Sequence, residues 1–155
     1  MDKAQIQAMP FIYIFALVVG ALILVFGLKY AFSLQSSGEQ IELGRFRLDV
    51  EREVSFIYNL DTGSSSEVKL RTPTSIKTIC FTNPEKEVRT TDQQFRDLLF
   101  LNPRNNFFII SEDTSQDKSF YVEHLKSDTN PFCISPKGEL KVIFENKGTY
   151  VTPTK

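Results

Sequence analysis

The chain has 155 residues, 18 Lys and Arg against 19 Asp and Glu, 14 Phe and no Trp, and a formal net charge of −1. Basic and acidic residues interleave along it, which excludes the clustered positive surface that a nucleic-acid partner requires. Two cysteines and one histidine offer no CxxC or Cys/His cluster, and this excludes a zinc site of ordinary spacing.

Residues 1–8 read as a short leader-like segment. From Met9 to Leu28 no residue is charged, and at about 1.5 Å per residue this stretch covers the roughly 30 Å hydrocarbon core of a bilayer. A transmembrane helix is expected over 9–33, with Pro10 in a first turn that tolerates it. The run is too long for the apolar core of a secretory signal peptide, and Lys29-Tyr30 stands where a small-residue cleavage site would. A buried soluble helix is the alternative, but the rest of the chain is too small to enclose a helix apolar on every face. Ala16, Gly20, Gly27 and Ala31 lie on one narrow stripe of this helix at about 100° per residue. Such stripes let two membrane helices pack closely, although Gly and Ala are frequent in these helices in any case.

A polar joint is expected at 34–38. There Ser37 with Gln40, or Ser36 with Glu39, has the spacing of a capping box that would restart a helix. Over 39–62 the apolar residues Leu43, Phe46, Val50, Val54 and Ile57 recur at steps of three and four, the signature of an amphipathic helix. Asp61-Thr62-Gly63 then stops it.

From Ser66 to the last residue, short apolar runs alternate with turn residues, and a β-rich domain packed on that helix is expected. Strands are predicted at 67–72, 76–82, 106–111, 120–125, 131–135, 139–145 and 149–152. Ser135-Pro-Lys-Gly138 has type I turn chemistry and predicts a hairpin between the fifth and sixth of them. Asn146-Lys-Gly148 predicts a further turn. Thr91 with Gln94 predicts a capped short helix through Phe95, Leu98 and Leu99, ended at Asn102-Pro103. The fold class is therefore α+β: a transmembrane helix, an amphipathic helix and a small antiparallel sheet.

Cys80 and Cys133 each sit inside an apolar triplet, as residues of paired core strands would. A disulfide between them is expected in an oxidising compartment, with two inert buried thiols as the alternative. Counting charges near the span, Lys3 precedes it while Lys29, Arg45 and Arg47 follow, which taken alone favours a cytoplasmic domain. The α-amino charge and the expected disulfide argue for the outside.

The opening Met1-Asp-Lys-Ala-Gln-Ile-Gln-Ala resembles the class III signal peptides of archaeal type IV pilin-like proteins. In these a short charged leader ends in a basic residue and a small one, a Gln commonly follows, and the apolar helix comes next. The resemblance implies processing between Ala4 and Gln5. It also implies an N-terminal helix whose first half is apolar and whose second half packs on a small antiparallel sheet, and a domain outside the cytoplasm. The chain departs from the pattern at Asp2, in lacking an acidic residue near Gln5, and at 35–38.

His124 is expected beside Val122 on a strand, in a structural or surface role, since no motif supplies a base with a partner. Glu112, Asp113 and Asp117 share a polar loop that reads as a solvated turn, with a hard-cation site as the sharper alternative. No nucleophile elbow, phosphate loop or metal-ligand pattern occurs, so neither an enzyme nor a cofactor is expected. Two functional classes remain. One is a pilin-like structural subunit of the cell envelope that associates with itself or with other envelope proteins. The other is a single-pass anchored binding module, or accessory subunit of a membrane complex.

Overall fold

The computed structural model describes residues 5–155, with side chains described for 10–30 and 40–155. The chain divides into two units, Met1–Ile41 and Glu42–Lys155. One helix, α1 (Gln5–Tyr58), contributes to both.

In the first unit, Pro10–Tyr30 forms 21 residues of α1 with a mean hydropathy of 2.8 and no side chain buried by protein. It is long and apolar enough to cross a membrane. The expected joint at 34–38 is helical, which corrects the reading of a break there. Ser36, Ser37 and Gly38 each cost a helix at most about 1 kcal/mol, and extending an existing helix needs no second nucleation. The capping-box residues therefore do not start a new helix.

In the second unit, α1 buries Leu43, Phe46, Val50, Val54 and Ile57, the five residues of the predicted apolar face. The helix ends at Tyr58, four residues before the expected limit at 62. Asn146 from a distant strand accounts for the early stop. Its Nδ2 donates to the carbonyls of Ile57, Tyr58 and Leu60 at 3.1, 3.0 and 2.8 Å; the Ile57 carbonyl also accepts from the Leu60 amide, and the other two are acceptors that the helix end leaves open.

Seven strands follow: β1 (Ser65–Arg71), β2 (Ile76–Phe81), β3 (Phe107–Ser111), β4 (Lys118–Phe120), β5 (Phe132–Ile134), β6 (Glu139–Asn146) and β7 (Val151–Thr154). They form two antiparallel sheets, β1-β6-β7 and β4-β3-β2-β5. Val68, Leu140, Val142, Phe144 and Val151 of the first sheet join Ile79, Phe81, Phe107 and Ile109 of the second in one core with the α1 face. The Phe81 and Phe144 rings meet edge to face across the two sheets at 5.9 Å.

The second sheet is covered on both sides. Alternate residues Cys80, Phe108 and Ile110 point away from the main core and pack under α2 (Gln93–Leu101) through its Phe95. That is why all five residues of β3 are buried. The cap of α2 is Asp92 rather than Thr91: its side chain accepts from the Phe95 amide. Gln94, assigned to the capping box by spacing, instead donates to the Ser111 carbonyl and to Asp117.

Two strand expectations are corrected. Ser135–Gly138 does not close a hairpin, because β5 pairs with β2 in one sheet and β6 with β1 and β7 in the other. The segment carries the chain from sheet to sheet, and Gly138 there has a φ of 81°. Residues 121–125 are not strand. The Asn106 side chain accepts from the Val122 amide and donates to the Val122 and Leu125 carbonyls, taking over the hydrogen bonds a ladder would have made. The predicted turn at Asn146–Gly148 does join β6 to β7.

Candidate functional site

The stripe Ala16, Gly20, Gly27 and Ala31 belongs to α1. A methyl group added at Gly20 or Gly27 would meet no atom within 4 Å, so that face is open along the glycines. Phe11, Leu17, Leu24 and Phe26 are among the large apolar side chains exposed around the same helix. The side chains of Gln5 and Ala31 and the whole of Ala4, with the rest of the leader up to residue 4, lie outside the described residues.

Cys80 and Cys133 are bonded as a disulfide, directly opposite one another in the β2–β5 register with Cα atoms 4.1 Å apart. Cys80 is buried and Cys133 is exposed, so the bridge has one face in the core and one in solvent. It closes a sequence separation of 53 residues between the two cysteines. On the chain-entropy model such a loop contributes up to about 4 kcal/mol.

The acidic loop has local partners. Asp113 caps a single 3-10 turn, Thr114–Gln116, by accepting from the Ser115 amide at 2.9 Å, and that bond holds its carboxyl below the usual range. Asp117 accepts from the Ser111 amide and from Gln94. Among the described residues no three His, Cys, Asp or Glu gather in a way that could hold a metal ion.

His124 lies in the turn after Val122, with a φ of 61°. Its ring stacks on Tyr58 at the end of α1, centroids 3.6 Å apart and planes 2° from parallel. Its Nε2 is 3.5 Å from the Glu123 carboxylate. Sequence reasoning missed this arrangement because the alternation Phe120-Tyr-Val-Glu-His-Leu125 mimics a strand. The pairing with Tyr58 depends on a contact 66 positions away in the chain, which local pattern does not encode.

No protein-family model, curated protein or solved structure matches this chain.

Proposed function

We propose that the chain is a single-pass membrane protein of the cell envelope, a pilin-like structural subunit whose α+β domain lies outside the cytoplasm. The observation that carries the reading is the helix Pro10–Tyr30, apolar on every face up to Lys29 and unburied, leading through the same α1 into a helix face that packs in the core of a small β domain. The disulfide supports the outside location, because such bonds persist in oxidising compartments. The open small-residue stripe supports association with copies of the chain or with other envelope proteins. The N-terminal resemblance supports archaeal pilin-type processing before Gln5. The second reading, an anchored binding module or accessory subunit, is favoured by the cleft beside His124.

Two measurements test this. N-terminal sequencing of protein from native membranes is expected to begin at Gln5, and an intact Met1 would remove the pilin-type processing. Gly20→Ile and Gly27→Ile are expected to reduce cross-linked association in the membrane, because branched side chains separate helices that pack backbone to backbone. Leu22→Phe, turned about 200° from Gly20, is expected to leave it unchanged. Equal cross-linking of all three variants would show that the small residues have no packing role.

A further inference from the structure

Within the second unit, the last two turns of α1 and the turn 121–124 line a cleft of about 580 Å³, a volume typical of small-molecule sites. Glu51, Ser55 and Tyr58 line one side and Tyr121, Glu123 and His124 the other, and no Lys or Arg is among the lining residues. Its walls are thus aromatic and acidic.

The aromatic wall is held in place. His124 is the one non-glycine residue at positive φ among those described. This conformation is costly outside glycine and persists where neighbours fix it. Here the Val151 amide donates to the His124 carbonyl at 2.7 Å, and the ring lies flat on Tyr58.

The same combination of ring and carboxylate already holds a cation next to the cleft. The Arg47 guanidinium carbon lies 4.7 Å from the centroid of the Phe120 ring, and its Nε donates to Glu51 Oε1 at 2.7 Å. Glu51 is therefore engaged by the chain itself. Glu123, whose carboxylate lies 3.5 Å from His124 Nε2 with its side chain 79% exposed, is the lining carboxylate that a guest can reach from solvent.

We propose that this cleft binds an organic cation, a guanidinium or ammonium group, against the Tyr58–His124 stack with Glu123 as its counter-ion. Ring faces attract cations through their quadrupole, and a carboxylate at the rim supplies the charge-assisted hydrogen bond. The cation is either a free small molecule or a Lys or Arg side chain of a partner. This site goes beyond the structural reading above and stands whether or not the chain assembles.

The chain's only histidine gives the test one set of ring resonances, free of overlap with any other imidazole. Full-length protein in detergent micelles is titrated with butylguanidinium chloride at constant pH and ionic strength, with neutral butylurea as the matched control. The expected result is a saturable shift of the His124 ring signal, with a dissociation constant of about 1 to 10 mM for one exposed cation site. Butylurea produces no saturable shift. Glu123→Gln, a change at the exposed mouth whose fold is checked by the amide spectrum, weakens binding about fivefold or more. Tyr58→Leu does the same. An N-acetylated, amidated Gly-Arg-Gly peptide that binds at least about threefold tighter than butylguanidinium assigns the guest to a partner's side chain. Equal affinity assigns it to a free cation. Absence of saturation, an equal response to butylurea, or unchanged affinity in Glu123→Gln overturns the proposal.

Discussion

At the residue scale, asparagine does much of the joining. Asn146, Asn106 and Asn130 each link backbone groups of segments far apart in sequence: Asn146 caps α1, Asn106 organises 122–125, and Asn130 binds backbone groups of Asn83, Lys86 and Glu87. Asn146→Ala leaves the Tyr58 and Leu60 carbonyls without this donor and the Gly148 amide without its acceptor, while the Ile57 carbonyl keeps the Leu60 amide. Water can recover part of this at the chain's surface, so a loss of about 2–3 kcal/mol is expected in chemical denaturation. Asn146→Asp should lose at least as much, since a carboxylate cannot donate to those carbonyls. Tyr150 offers a pH-dependent counterpart. Its hydroxyl donates to Asp128 Oδ1 at 2.8 Å, and this bond, with some desolvation and the Asp128 charge, raises its pKa above 10.0. A raised pKa means the neutral phenol is favoured by folding. The contribution is present below the unfolded-state value and lost as pH rises through the folded one. Tyr150→Phe is therefore expected to cost about 1 kcal/mol near neutral pH, reduced by solvent screening, and to flatten the alkaline fall in stability seen in the unmodified protein. Thermal melts of both proteins between neutral pH and about pH 11 check it.

At the element scale, α2 shows how one short helix carries both a buried anchor and an exposed end. Phe95 is buried against Phe108 with rings 5.3 Å apart, while Phe100, five positions on, is 85% exposed. Phe95→Ala is expected to cost about 3–5 kcal/mol by leaving a cavity under the second sheet. Phe100→Ser is expected to change stability by less than about 0.5 kcal/mol. Urea midpoints of the two variants separate these outcomes, and equal losses would mean that α2 is not seated as described. The legibility of elements followed the same division. The α1 core face was readable because its apolar residues repeat at the helical period along one continuous segment. The hairpin expected at 135–138 was not, because turn chemistry specifies that the chain bends and not which sheet receives the next strand. β5 and β6 diverge because β2 offers an edge to one and β1 to the other.

At the scale of the whole molecule, an apolar helix without protein cover and a domain with its own core call for different solvents. The full chain is expected to sediment with membranes and to require detergent for extraction, since a helix of 21 residues without protein cover, uncharged up to Lys29, loses contact with water only in lipid. A fragment of 42–155 retains the α1 core face and both sheets, and is expected to remain soluble and folded with its disulfide formed. Fractionation followed by circular dichroism measures both, and full-length protein in a detergent-free soluble fraction would refute the anchor.

What the sequence determined by itself was whatever rests on period and run length: the membrane-length helix, the five core positions of α1 and most strand positions. These signals are local, and burial acts on them directly. What only the tertiary structure decided was whatever rests on contacts between segments far apart in sequence: the division into two sheets, the bonding of Cys80 to Cys133, the cap of α1 by Asn146, and the stacking of His124 on Tyr58. A polar side chain such as asparagine offers the same donors and acceptors wherever it stands, and its partner is chosen by the fold that brings another segment within about 3 Å.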